Sequence, residues 1–196
     1  MDENNLDHVV INVRDDMDLA QLVFSNLGFT LTPRGYHTLG SINHLMMFNS
    51  DYMELIGFPE HGVVNNPNSR SDLTIAPFGI NGLVFKSSDV DKTFEKLVEL
   101  EMDGDPPKSF SRPVELDGRK TDAKFRTVTV RAGVFPEGRV YFCEHCTPEL
   151  VWRPEWQSHE NGIEAVSEIV VVTRDPKKSA DLYSKLLGTS FVKKSL

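Results

Sequence analysis

The stretch LDHVVINVRDDMDLAQLVFSNLGFTL, residues 6–31, returns without a gap near the far end of the chain as VSEIVVVTRDPKKSADLYSKLLGTSF, residues 166–191. Seven of the 26 aligned positions are identical, among them Arg14-Asp15 with Arg174-Asp175 and Leu27-Gly28 with Leu187-Gly188. An internal repeat says more about architecture than a local motif does, because each copy folds as one supersecondary unit. In the first copy, residues 6–13 read as a strand with Leu6, His8, Val10 and Asn12 on one face. A helix should follow. Asp15 or Asp16 opens it, Ala20, Val23, Phe24 and Leu27 form its inner stripe, and Gly28 suits the left-handed residue that ends it. Strands are expected over residues 29–33, 42–49 and 52–58, divided by Gly35, Gly40 and Ser50-Asp51. The order is βαβββ.

A second βαβββ series begins with a strand over residues 80–86. Ser88 or Asp89 caps its helix, whose inner stripe is Val90, Phe94, Leu97 and Val98, and strands follow near 114–116, 125–132 and 140–146. The expected fold is therefore α+β, with repeated βαβββ modules at 1–62 and 80–150. Residues 63–79 form a polar loop or flap, residues 151–165 a connector, and residues 166–196 an incomplete third module. That last part offers a strand over 166–172 and a helix opened by Pro176 with Ala180, Tyr183 and Leu187 inside. An apolar strand with no partner invites aggregation. It should complete another module, pack against a second copy as a homodimer, or belong to a longer protein, and the dimer is favoured.

The chain has 196 residues and a formal charge of −8, which disfavours nucleic acid and anionic membranes and leaves small molecules and proteins as partners. No apolar run is long enough for a membrane span and the first residues do not read as a signal peptide, so a cytoplasmic location is expected. Cys143 and Cys146 are too few for a disulfide scaffold, and strand alternation turns Cys143 away from Glu144. A redox or zinc role for that pair has little support in its context. Trp152 and Trp156 are expected to pin the connector to the core.

Repeated βαβββ modules resemble the vicinal oxygen chelate superfamily of glyoxalases, extradiol dioxygenases, epimerases and bleomycin-resistance proteins. The local text agrees: Leu6-Asp7-His8-Val9-Val10 resembles that family's opening strand, while Tyr52-Met53-Glu54-Leu55 and Tyr141-Phe142-Cys143-Glu144-His145 resemble its metal-bearing strands. Thr147-Pro148-Glu149-Leu150-Val151-Trp152 with Asn161-Gly162 is similar to bacterial glyoxalase-like proteins. The resemblance implies a divalent metal, Mn, Fe, Zn or Ni, held by His8, Glu54 and Glu144, with Gly82 at a fourth place that offers no donor. Glu54 and Glu144 are then the catalytic carboxylates, one of them a general base, and Asn43 and His145 are candidate substrate-binding residues. Ordinary alternatives stand beside these roles: a hydrogen-bonded core histidine at His8, and salt bridges from the glutamates to Arg126 or Arg131. Two functions follow. One is a metal-dependent lyase, isomerase or dioxygenase that chelates adjacent substrate oxygens. The other is a metal-free protein that sequesters a drug or small molecule. Gly82 and the acidic charge suit the second.

Overall fold

The structure is a computed structural model and describes residues 5–59, 71–116 and 118–193. Its elements in chain order are β1 (Leu6–Arg14), α1 (Met17–Asn26), β2 (Gly35–Tyr36), β3 (Ile42–Met47), β4 (Tyr52–Gly57), α2 (Ser71–Ile75) and β5 (Gly79–Lys86). Then come α3 (Val90–Glu99), β6 (Lys108–Leu116), β7 (Arg119–Thr129), β8 (Arg139–His145) and α4 (Pro176–Leu187). Two short 3-10 turns, Pro148–Leu150 and Pro154–Trp156, lie between β8 and α4, and a third, Thr189–Phe191, follows α4. None of the described helices is long and apolar enough to cross a membrane.

The eight strands form one sheet in the order β2-β3-β4-β1-β5-β8-β7-β6. Strand β1 runs parallel to β4 and antiparallel to β5, and β5 runs parallel to β8, so the modules meet at the β1/β5 seam. The sheet curls until its two edges touch. Thr38, just past β2, donates its backbone N–H to the Ser111 carbonyl of β6 at 3.1 Å, and Ser111 N–H donates to Thr38 Oγ1 at 3.3 Å. This is the expected α+β fold with two βαβββ series.

Alternation along the strands separates two layers. Inside the curl, Val10, Leu45, Met47, Tyr52, Ile56, Val84, Ala123, Phe125 and Cys143 make one core. Outside, α1 covers Ile11, Val13, Ile42, Met46 and Leu55, while α3 and α4 cover Phe85, Val128, Val140 and Phe142. Asp89 caps α3, its carboxylate accepting from the backbone N–H groups of Asp91 and Lys92. Helix α1 differs from expectation: Asp16 is its N-cap residue but makes no side-chain cap bond. Its buried residues are Met17 and Ala20, with Phe24 packed alongside, while Val23 and Leu27 are exposed together with Leu19 and Leu22. The inner stripe is rotated by about one position. Residues 29–33 also form no strand; the short β2 takes that role at the sheet edge.

Of the expected flap, residues 63–70 lie outside the described residues, and α2 is anchored rather than loose. Leu73 is fully buried, and Asn12 Nδ2 donates to the Leu73 carbonyl at 2.8 Å. Residues 166–172 depart most from expectation, for they join no described strand. Val166 N–H donates to Asp51 Oδ1 at 3.0 Å, and Val171 packs on the outer core of the second module while Val170 and Val172 face solvent. The place beside β5 that a third first-strand could take is occupied by β8, whose residues Arg139 to Cys143 already pair there. Helix α4 forms as expected, opened by Pro176 and ended at Gly188 with φ 103°, as α1 is followed by Gly28 with φ 82°.

Candidate functional site

The polar residues of the interior gather where β1, β4 and β8 pass one another. His8 and Glu54 share the inner face, because His8 pairs with Tyr52 and Glu54 lies two residues further along β4. Asp7 belongs by alternation on the outer face, but a bulge brings it in. Leu6 pairs with Phe85 and His8 with Val84, so β1 has one residue more than β5 at this point. A bulge of this kind re-aims one side chain. The result is a fully buried carboxylate whose Oδ1 lies 2.6 Å from His8 Nδ1 and 3.1 Å from His145 Nε2. An ionised carboxylate only accepts, so both ring nitrogens donate to it. Burial pushes the Asp7 carboxyl up, but the charges and hydrogen bonds of His145 and His8 outweigh it and hold Asp7 well below the usual carboxylate range.

With Nδ1 of His8 committed to Asp7, Nε2 faces the interior. It lies 3.6 Å from Glu54 Oε2 and 3.4 Å from the Tyr141 hydroxyl. The ring stacks on Tyr52, with centroids 4.4 Å apart. Asn43, on the inner face of β3, donates from Nδ2 to Glu54 Oε1 at 2.8 Å and accepts from Arg112 Nη1 at 3.4 Å. Arg112 sits on the inner face of β6 opposite Ala123, whose small side chain leaves it room, and is 2% exposed. Its Nε and Nη2 have no hydrogen-bond partner among the described residues. Burial pushes the guanidinium below its ordinary value, and the nearby Tyr52 and Glu54 oppose that shift. Burial also drives the Tyr52 hydroxyl and the Cys143 thiol well above their usual ranges, with nearby acidic groups adding to it.

Of the residues singled out from sequence, His8, Glu54, Asn43 and His145 come together and Glu144 does not. Tyr141, Cys143 and His145 face inward on β8, and Glu144 shares the outer face with Val140 and Phe142. There its Oε2 accepts from the N–H of Val90, the first residue of α3, at 3.1 Å and lies 3.6 Å from Arg126 Nη1. A carboxylate at a helix N-terminus needs no metal to offset its charge. The expected convergence of His8, Glu54 and Glu144 therefore fails.

The four-donor metal place that the resemblance implied is also depleted. Gly82 lacks a side chain, and a Cβ built there would lie 3.0 Å from Val10 Cβ. Two residues past the β8 partner of Gly82 stands Tyr141, a phenol where the first module has Glu54. His8 and Glu54 remain, which is too few for that site. Three other donors cluster nearby: Asp7, Cys143 and His145 each offer a ligand atom within 4.8 Å of the others. Asp7 and Arg112 escaped the sequence reading because alternation hid the first and the second lies on a polar edge strand. Trp152 packs edge-on to Tyr52 at 5.7 Å and carries Lys86 Nζ over its ring at 4.9 Å, so the connector is pinned to this core as expected.

A glyoxalase-like domain model matches residues 6–187. A search of curated proteins finds no match. Among solved structures, a hypothetical protein from Staphylococcus aureus is similar at TM-score 0.69 and 14% identity, over 92% of this chain and 74% of that one. A variant methylmalonyl-CoA epimerase of Streptomyces coelicolor in complex with 2-nitronate-propionyl-CoA is similar at TM-score 0.53 and 14% identity, over 74% of this chain and 99% of that one. A methylmalonyl-CoA epimerase in complex with methylmalonyl-CoA and NH4+ gives TM-score 0.52 and 14% identity, over 74% of this chain and 97% of that one. At such identities the structural likeness establishes the fold alone, and it is the family match over nearly the whole chain, laid on two βαβββ series around one curled sheet, that places this protein in the glyoxalase-like domain family.

Proposed function

We propose that this chain is a glyoxalase-like enzyme that moves a proton on a small substrate carrying a carbonyl and an anionic oxygen. The observation that carries the reading is the chain of contacts from Asp7 through His8 to Glu54, set in the same interior as the unsatisfied N–H groups of Arg112. Asp7 fixes the His8 tautomer and leaves Nε2 as the working nitrogen. Asn43 donates to Oε1 of Glu54, and Oε2, which lies 3.6 Å from His8 Nε2, is the working base. Arg112 supplies two donors to a substrate oxyanion, which offsets the cost of burying them unpaired. Glu54 takes the proton next to the carbonyl, the Tyr141 hydroxyl returns one to the carbon, and His8 Nε2, which lies 3.6 Å from Glu54 Oε2 and 3.4 Å from the Tyr141 hydroxyl, relays the proton from Glu54 to the phenolate.

The epimerase neighbours are bound to CoA esters, which supports a substrate with an acidic proton beside a carbonyl. A divalent ion, when bound in a site of this family, supplies Lewis-acid stabilisation of charge on a substrate oxygen. With Gly82 and Tyr141 in two of the family places, the proton-transfer steps above need only residues of this chain. The exposed Val170 and Val172, in a segment that joins no described strand, support assembly as a homodimer.

The test is proton exchange. Methylmalonyl-CoA and a panel of small oxo-carboxylates are incubated with the protein in D2O and followed by NMR. Deuterium should enter beside a carbonyl of at least one compound, and Glu54→Gln should slow this by about 100-fold or more. Failure of every compound to exchange, or of any to raise the melting temperature, would leave the reading without support. Binding without exchange would favour the sequestering protein.

A further inference from the structure

We infer that Asp7, Cys143 and His145 form a site for a transition metal of the zinc type, displaced from the place where the family's metal would sit. The three side chains reach the inner face from two strands: Cys143 and His145 by alternation along β8, and Asp7 through the bulge in β1. One ligand atom from each lies within 4.8 Å of the other two. Two buried atoms of these residues, Asp7 Oδ2 and His145 Nδ1, have no hydrogen-bond partner among the described residues. Asp7 is fully buried, and an unpaired carboxylate oxygen in such surroundings is costly unless a cation or donor meets it. A proton on His145 Nε2, donated to Asp7, leaves the lone pair of Nδ1 open.

The donor set chooses the ion. One carboxylate, one imidazole and one thiol exclude magnesium and calcium, which take oxygen ligands, and suit zinc or its spectroscopic substitute cobalt. Binding replaces the thiol proton by the ion, so the Cys143 S–H bond breaks, a sulfur–metal bond forms and one proton passes to buffer. Three protein donors leave one position of a four-coordinate ion for water or a substrate oxygen. The wall around it is aromatic: His145 packs against Phe125 at 5.2 Å and Trp152 at 5.9 Å. The inference does not rest on the proton-transfer reading, and its test reads absorption rather than turnover.

The full chain is stripped with chelator, dialysed and titrated with Co²⁺. One equivalent should produce the intense d–d bands of a four-coordinate ion together with a near-ultraviolet thiolate-to-cobalt band, and added Zn²⁺ should bleach both. Cys143→Ser should remove the near-ultraviolet band and weaken binding at least tenfold, and Asp7→Asn should weaken it comparably. Cys146→Ser should change neither, because Cys146 is exposed and outside the cluster. Where Cys143→Ser does not give folded protein, His145→Gln must give the same loss of affinity. Absence of a thiolate band, its loss in Cys146→Ser, or loss of binding in Glu54→Gln with Cys143→Ser unaffected would overturn the inference. The last outcome would put the ion back at His8 and Glu54.

Discussion

Tyr141 stands in the second module where Glu54 stands in the first. Each lies two residues beyond the strand partner of its module's reference residue, Tyr52 opposite His8 and Arg139 opposite Gly82. The two inner faces have therefore diverged in kind: one keeps an imidazole and a carboxylate, and the other has no side chain and a phenol. The Tyr141 hydroxyl nevertheless reaches across the seam to His8 Nε2 at 3.4 Å, so the second module still contributes to the first module's pair.

That divergence is now enforced by packing. A Cβ at Gly82 would approach Val10 Cβ to 3.0 Å at the β1/β5 seam, where both backbones are fixed by pairing. Gly82→Ala is expected to cost about 1–3 kcal/mol, the usual range for overpacking, and Gly82→His more. Urea unfolding checks this. An unchanged midpoint for Gly82→Ala would mean that the seam opens easily and that a metal-binding histidine could be restored there.

Arg112 separates a structural from a functional role. In Arg112→Met two unsatisfied buried N–H groups disappear along with the charge, so the denaturation midpoint should hold steady or rise. Stabilisation by a bound oxo-carboxylate should vanish. A loss of about 3 kcal/mol or more, the size of a broken buried ion pair, would instead make Arg112 the fixed partner of Glu54. Gly35→Ala tests the same place from the opposite edge, since a Cβ there would collide with Arg112 Cδ and Asn43 Oδ1. It should lower ligand affinity by displacing the Arg112 side chain from its place.

Tyr183 gives the pH dependence a sign. Burial, with the charge of Glu137 adding to it, pushes its hydroxyl from 10.0 up to about 12. The folded state thus holds this proton more tightly than the unfolded chain. Its contribution is fully present below pH 10 and is lost as pH rises towards 12. The ring packs on Phe135 with centroids 4.3 Å apart, so Tyr183→Phe should keep the packing and remove this alkaline loss. Denaturation midpoints of both proteins below pH 10 and close to pH 12, on the two sides of this window, provide the check. Parallel declines would show that Tyr183 does not carry the effect.

The sequence was legible where periodicity and pairing agree. Residues 6–13, 42–47, 52–57 and 80–86 alternate or run apolar and became strands; Pro176 and Gly188 bracket a helix that forms between them. Two features escaped it, both for reasons of tertiary structure. Strand parity assigns faces only relative to a reference, and taking Glu144 as the reference turned all of β8 inside out. His145 and Cys143 then seemed to point away from the site that they in fact line. A bulge breaks parity altogether, and nothing in Leu6-Asp7-His8 announces that two successive side chains turn the same way. His159 also passed without notice. It is a buried structural residue whose Nδ1 accepts from Thr30 N–H at 2.9 Å while Nε2 lies 2.9 Å from the Met47 carbonyl.

The incomplete third copy gives the last prediction. Helix α4 buries Ala180, Tyr183, Leu186 and Leu187, and its contacts reach Phe135, Glu137 and the Leu100 carbonyl of the second module. Residues 166–172 precede it with Val170 at 76% and Val172 at 89% exposure, and no described strand takes up their backbone. An unpaired apolar edge is a template for another strand, and a second copy of the same segment, antiparallel across a two-fold axis, is the partner that closed symmetry supplies. Light scattering at micromolar concentration should report a dimer. Replacing both Val170 and Val172 by Lys should shift it to monomer while leaving the denaturation midpoint nearly unchanged, because neither side chain packs in the folded chain. Deleting residues 164–196 should also give a monomer, but one whose stability falls by several kcal/mol as Phe135 and the outer core lose their cover. A truncated chain that is equally stable would show that α4 contributes nothing to this fold. A dimer that survives the double lysine variant would move the interface to the exposed leucines of α1.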